Sequence, residues 1–309
     1  MNHGLLSIGL TTLDILGRPI DAIPADGSGR LIESIELVPA GTAGGTALIA
    51  AVLGMKVRLV SAVGDDRTGT LVRTVLEEYG VDTGLMPTAP GVRTSATILA
   101  IDSRGRRPTF HAPGASMLTE ITDAVREAAR EARFVHWAAV GAPRIGDKAA
   151  PFLAGARTAG ATITCDLISP GPRARAELEP ILPYIDYFMP SLTEALFLTG
   201  CDNEGDAAER LLALGCRACI VKLGERGWLY ADAEGSVRGP ARNIRVVDTT
   251  SCGDSFCAGF IAALDRGWPP EQACRFANAV AALVAQGLGT LGALEGFEQA
   301  ETLMRSPRA

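Results

Sequence analysis

The chain reads as an α/β protein of three layers, with a mostly parallel central sheet, helices on both its faces and a small inserted β-lid. Three observations predict this. From Thr119 onward helical stretches alternate with short apolar strands: helix over 119–133, strand over 134–140, helix over 148–159, strand over 162–166. Alternation at this spacing builds a parallel sheet whose crossovers are helical. Two passages interrupt it. Residues 18–38 and 95–110 are short extended pieces, broken by Pro19, Pro24, Gly27 and Gly29 in one and by the turn Asp102-Ser103-Arg104-Gly105 in the other, and both read as hairpins. Finally, small and glycine-rich turns stand where strand passes to helix, at 41–46, 64–69 and 248–256. In open α/β sheets ligands bind beyond the carboxyl ends of the strands. Asp14, Asp166 and the 248–256 stretch are therefore expected to share one edge.

The 309 residues are ample for one buried core. The expectation is a single domain over 1–309, with the lid formed by about 15–39 and 92–112. With 29 Lys and Arg against 35 Asp and Glu, the net charge of −6 supplies no basic stripe for nucleic acid and no cationic membrane surface. No apolar run approaches the roughly 20 residues that span a bilayer. The seven cysteines are an odd number behind a start, Met1-Asn2-His3-Gly4, that lacks a basic leader. That combination points to a reducing cytoplasm. Cys216 and Cys219 form one C-x-x-C with no second pair or H-x-x-x-H after it, which favours buried structural thiols over zinc or redox chemistry.

In chain order, Leu5 to Leu16 alternates apolar with small or polar residues and reads as a first strand with Asp14 near its end. A glycine-rich turn over 41–46 leads into a helix from Ala47 to Leu53. Such a turn either brings backbone close to a polar ligand or is merely tight. Val57 to Gly69 passes from strand to helix. Arg104, Arg106 and Arg107 cluster at the second hairpin and are expected at a solvated tip rather than on a substrate phosphate. Tyr187-Phe188-Met189 reads as a strand before Ser191 and Glu194, whose spacing is that of a capping box. Cys219 to Lys222 is strand-like and runs into a glycine turn at Gly224 and Gly227.

A β-like run, Asn243 to Val247, precedes Asp248-Thr-Thr-Ser-Cys-Gly-Asp-Ser-Phe256, which opens a helical run over 257–264. A helix start leaves amides without partners and carries partial positive charge, so small residues at Ser251, Cys252 and Gly253 would let a phosphate settle there. Asp254 beside that cradle makes sense if it accepts a proton from whatever attacks the phosphate. Alternatively, Asp248 or Ser251 simply caps the helix. Gln272 to Leu283 reads as an amphipathic helix. The later Gly287-Leu-Gly-Thr-Leu-Gly292 is a literal G-x-G-x-x-G, yet it follows a helix and leaves only 17 residues, too few for a dinucleotide fold.

The 248–256 stretch resembles the C-terminal signature of the ribokinase-like (PfkB) carbohydrate kinase family, commonly Asp-Thr-Thr-Gly/Ala-Ala-Gly-Asp-x-Phe. Val63-Gly64-Asp65-Asp66-Arg67-Thr68-Gly69 resembles its first signature, and Ser191 to Glu194 its Asn-x-x-Glu. The resemblance implies a ribokinase-like fold and an ATP-dependent kinase acting on a primary hydroxyl of a sugar. Nucleoside kinases, sugar-phosphate kinases and a catalytically silent relative remain as alternatives. It further implies Asp254 as base beside a cradle at Ser251, Cys252 and Gly253, and an acceptor site at Asp14, Gly41, Thr42 and Gly45. A nucleotide would lie along Lys222, Gly224, Gly227 and Asn278. Glu194 would order water around Mg²⁺, and Asp248 with Thr250 would help hold a monovalent cation such as K⁺. Homodimers through the lid are implied as well. The chain departs from the family at Gly45, Ser116 and Ser191, where Asn is usual, at Cys252 and Ser251, and at Lys222, where Thr is common.

Overall fold

The computed structural model describes residues 4–25, 27–168 and 171–307. A nine-stranded sheet runs through the molecule in the order β15-β14-β13-β12-β11-β10-β1-β4-β6. Its strands are β1 (Leu5–Gly9), β4 (Val57–Val60), β6 (Val81–Asp82), β10 (Phe134–Ala138), β11 (Thr162–Cys165), β12 (Tyr187–Phe188), β13 (Ala218–Lys222), β14 (Trp228–Asp232) and β15 (Gly235–Gly239). The seven from β6 to β13 are parallel, and β14 and β15 finish the sheet antiparallel. Central strands such as Phe-Val-His-Trp-Ala are buried throughout, as they must be when helices cover both faces.

Alternate residues feed two cores. Leu6, Ile8, Val135, Trp137, Ile163, Cys165 and Val221 pack with α3 (Asp123–Glu131), α4 (Ala149–Thr158), α6 (Leu192–Thr199) and α7 (Glu204–Ala213). Leu5, Leu59, Phe134 and Ile220 pack on the other side with α1 (Thr42–Val52), α8 (Cys252–Asp265), α9 (Pro270–Val284) and α10 (Phe297–Arg305). α8 is buried from Ser255 to Ala263, and small residues make that possible. A Cβ on Gly259 would lie 2.9 Å from the Ala277 backbone of α9, so the two helices cross in near contact.

A separate four-stranded sheet, ordered β3-β2-β8-β9, is built from β2 (Thr12–Arg18), β3 (Ser34–Ala40), β8 (Ala96–Ala100) and β9 (Thr109–Ala112). The expected first strand over 5–16 is thus two strands in two sheets. Gly9 makes the break: its φ is 149°, and a Cβ there would sit 2.1 Å from the Ala138 carbonyl oxygen. Asp14 accordingly belongs to the small sheet.

Two further expectations are corrected. Gly44 and Gly45 lie inside α1 rather than in a turn before it, because Gly41, with φ 90°, already makes the turn. The run Asn243 to Val247 is not a strand. Its Val247 amide donates to Ala285 O at the end of α9, and Val246 is 44% exposed, with no strand beside it. Predicted helix and strand ends elsewhere fall within a few residues of the observed ones.

Candidate functional site

The cradle forms where α8 begins. Ser251 caps the helix in the left-handed region at φ 54°, and it is the only non-glycine residue with positive φ among the described residues. An L-residue held there costs about 1 kcal/mol or more, and such strain gathers at functional sites. The hydroxyl of Ser251 makes no capping bond. The amides of Ser251, Gly253 and Asp254 have no acceptor among the described residues, while the Ser255 amide already bonds Ser251 O at 2.8 Å. Three donors therefore stay open beside a helix N-terminus.

Asp254 stands directly behind them. Burial pushes its carboxyl up to about 7, Asp166 adds to the shift, and Lys222 and the Ser251 hydroxyl oppose it. Within electrostatic reach of Asp254, Asp14 on β2 is 6% exposed, and its Oδ1 has no partner among the described residues. Burial lifts this carboxyl to about 6, against a bond from Thr97 and the charge of Arg107. Thr97 in turn meets Thr12 at 3.2 Å and His111 Nδ1 at 3.1 Å. Cross-strand register puts Asp14, Thr97 and His111 in one row on the sheet face opposite Ile15.

At the carboxyl edge of the large sheet, Asp166 follows β11 and Lys222 ends β13, with Nζ 2.7 Å from Asp166 Oδ2. The Lys222 amide donates to Pro190 O, which brings the start of α6 alongside. There Ser191 and Glu194 form the expected capping box, with the Ser191 amide 2.7 Å from Glu194 Oε2. Burial, followed by the neighbouring Asp166, raises the Glu194 carboxyl above its usual range. Behind this edge His136 is wholly buried against Thr164, and burial holds its imidazole down near 4. It is a neutral structural histidine.

Not every expected residue reaches the site. Thr42 is 3% exposed and donates its hydroxyl to Ala138 O at 3.0 Å, inside the core. Gly41 is a glycine for local reasons, since a Cβ would lie 2.7 Å from Leu10 O. Gly45 does reach it: a Cβ there would be 3.0 Å from Asp254 Oδ2. Gly224 and Gly227 turn β13 into β14 with φ of 60° and 94°. Asn278 lines a cavity of about 310 Å³ with Arg242, Arg275, Met304 and Ser306. The Asp248 carboxylate accepts from Thr250 N and Oγ1 and from the Gly289 amide. The glycine-rich 287–292 loop therefore braces Asp248, a use of those glycines that is structural. Cys216 and Cys219 are buried free thiols.

Sequence reasoning missed two contacts. Arg107 is no idle tip, because its Nε donates to Thr249 Oγ1 at 3.1 Å and ties the hairpin to the cradle loop. The Lys222–Asp166 pair escaped too, its members lying 56 positions apart. No local pattern marks either.

The residues fit a hard divalent cation. Asp166 Oδ1 is buried without a partner among the described residues, Glu194 lies within its electrostatic reach, and carboxylate oxygens are the ligands Mg²⁺ takes. Among the described residues no three His, Cys, Asp or Glu side chains converge as a protein cage.

The family model described as pfkB family carbohydrate kinase matches residues 2–295. The chain belongs to that family. It is 28% identical to fructokinase-1 of Oryza sativa subsp. japonica, over 93% of this chain and 95% of the relative. It is also 28% identical to a nucleoside kinase of Methanothermobacter thermautotrophicus, over 94% and 91%. A putative ribokinase II from E. coli, solved in complex with ATP and Mg²⁺, superposes with a TM-score of 0.84 at 22% identity, covering 98% of this chain and 99% of that one. The pfkB kinase described here thus has the ribokinase-like fold and is a phosphotransferase with a hydroxyl acceptor, a sugar or nucleoside kinase. Among the described residues no helix is long and apolar enough to cross a membrane.

Proposed function

We propose that this kinase transfers the γ-phosphoryl group of ATP to a primary hydroxyl of a sugar or sugar-like acceptor. One observation carries the reading: the Asp254 carboxyl, lifted to about 7, stands beside the amides of Ser251, Gly253 and Asp254 itself, which lack acceptors among the described residues. The acceptor oxygen attacks the γ-phosphorus and its proton passes to Asp254. The bond from phosphorus to the bridging oxygen breaks, and ADP leaves with that electron pair. A base near pH 7 is ionised often enough to act and basic enough to take the proton. The open amides at Ser251, Gly253 and Asp254 offset charge on the transferring oxygens. Asp14, with its unpartnered oxygen, accepts hydrogen bonds from acceptor hydroxyls, and Gly45 leaves room between acceptor and base.

ATP as donor is supported by the E. coli neighbour in complex with ATP and Mg²⁺. Glu194, through water, and Asp166 alongside it would hold Mg²⁺, which would supply positive charge to offset that of the phosphates. We place the nucleotide along Gly224 and Gly227, with its base toward the cavity at Asn278. Asp248 and Thr250 are assigned to the rim of a potassium site, so turnover in K⁺ and Na⁺ buffers should differ. The small sheet acts as a lid over the acceptor. On its outer face Leu37, Ile15, Ile98 and Phe110 stand in one cross-strand row, three of them 47–59% exposed. A contiguous apolar face calls for a cover, and we assign it to a second copy of this chain. Sedimentation of Ile98→Lys as a monomer, against a wild-type dimer, checks that. The free thiols accord with a cytoplasmic setting.

A nucleoside acceptor is the second reading, favoured by equal identity to the nucleoside kinase and by the space at Gly45. ATP consumption across a panel of sugars, nucleosides and hexose phosphates separates the two. The decisive variant is Asp254→Asn. It is expected to bind ATP normally while kcat falls by about 10² to 10⁴, the usual cost of losing a general base. Unchanged turnover would overturn the assignment.

A further inference from the structure

Lys222 is placed for more than lying along a nucleotide. Its side chain is 12% exposed and reaches, from the end of β13, under the first turn of α8. A Cβ on Gly253 would lie 3.3 Å from Lys222 Nζ, so the ammonium lies close beside the turn that makes the cradle. One side of it meets Asp166 Oδ2 at 2.7 Å, and the Cys257 thiol stands 3.9 Å away.

The surrounding charge makes that position consequential. Asp14, Asp166, Glu194 and Asp254 all act on this edge, each within electrostatic reach of another. A terminal phosphate entering here meets carboxylates from several directions, and the helix N-terminus supplies only a fraction of a positive charge. Burying an ammonium with a carboxylate costs desolvation energy, and an apolar pair of similar size usually serves stability as well or better. Paired with Asp166 at 2.7 Å, Lys222 supplies positive charge and is not the group that exchanges a proton with the acceptor.

We propose that Lys222 is a catalytic residue of this kinase: its ammonium contacts the transferring phosphoryl group in the transition state, and Asp166 is the positioning residue that holds it there. The inference rests on the reading above, in which the cradle receives the γ-phosphoryl group. No bond is made or broken at Lys222. It offsets charge that spreads over the phosphoryl oxygens as the bond to the bridging oxygen lengthens.

The rival role is that of a counter-ion, present only because Asp166 is buried. Two variants separate the roles. Lys222→Met leaves Asp166 unpaired and is expected to lose both thermal stability and turnover. The double variant Lys222→Met/Asp166→Asn removes the pair as a unit, so its melting temperature should return to near the wild-type value. Measured at saturating Mg²⁺, so that any share of Asp166 in holding the ion does not limit turnover, its kcat is nevertheless expected to remain about 10²- to 10³-fold down, the usual cost of losing one preorganised charge stabiliser, with the Kd for metal-free ATP changed by less than about threefold. A double variant whose kcat recovers to within about fivefold of wild type would make Lys222 a mere counter-ion and overturn the proposal. So would a loss confined to ATP binding with kcat intact. If wild type itself consumes no ATP with any acceptor of the panel, the parent reading falls, an outcome distinct from either of those.

Discussion

Gly45 faces Asp254 across the start of the site: a Cβ added to the glycine would lie 3.0 Å from Asp254 Oδ2 and 3.4 Å from Ser251 Oγ. Gly45 sits inside α1, where alanine is ordinarily the better helix former by about 0.5–1 kcal/mol. Local stability and the site therefore pull in opposite directions. Gly45→Ala is expected to keep or slightly raise the melting temperature while kcat drops at least about tenfold, since the methyl must push the Asp254 carboxyl, the proposed base, aside. Kinetics and thermal melts on one preparation check this, and full activity would show that the space is unused.

The position of Asp254 sets a pH dependence. With its carboxyl pushed up to about 7 by burial and then by Asp166, Asp254 is protonated in acid and, in the proposed role of base, idle there. The kcat/KM profile is expected to rise with pH through about 7 and level off above it, because kcat/KM reports groups of the free enzyme. The same shift has a stability side. A carboxyl whose folded value is raised binds its proton more tightly in the native state. Its contribution to stability is present in acid and lost as pH climbs from about 4 to about 7. Asp254→Asn is thus expected to melt at a higher temperature than wild type at pH 8, a test independent of turnover.

Asp14 offers a buried oxygen with no partner among the described residues, held by Thr97 in a row with His111. Asp14→Ala is expected to raise KM for the acceptor by at least about tenfold, the scale of losing one or two hydrogen bonds to a charged group, while ATP binding is unchanged. Titration of the two ligands separately reads this out, and an unaltered acceptor KM would remove Asp14 from the site.

Ser251 holds the cradle open at φ 54° without a capping bond of its own. Glycine adopts that conformation freely, so Ser251→Gly is expected to relieve strain and stabilise the protein by about 1 kcal/mol with turnover preserved within a few fold. Denaturant melts give the stability change. A destabilised variant would mean that the hydroxyl beside Asp254 outweighs the backbone strain.

Much of this protein was legible in its residues. Period-two and helical patterns told strand from helix along most of the chain, because each element is buried on faces that its own sequence repeats. The Ser191–Glu194 box and the acid beside a small-residue helix start are local chemistry, readable in a few letters. What adjacency cannot carry is which distant groups meet. The break at Gly9 moved Asp14 to another sheet, Thr42 turned its hydroxyl into the core, and Arg107 and Lys222 found Thr249 and Asp166 at separations of 142 and 56 residues. The sequence by itself determined the layered fold, the amide cradle and the carboxylate beside it, since these depend on neighbours within a turn or a strand. Only the tertiary structure decided that a buried ammonium stands behind that cradle, because the stacking order of parallel strands, rather than any local pattern, brings β11, β13 and α8 to one edge.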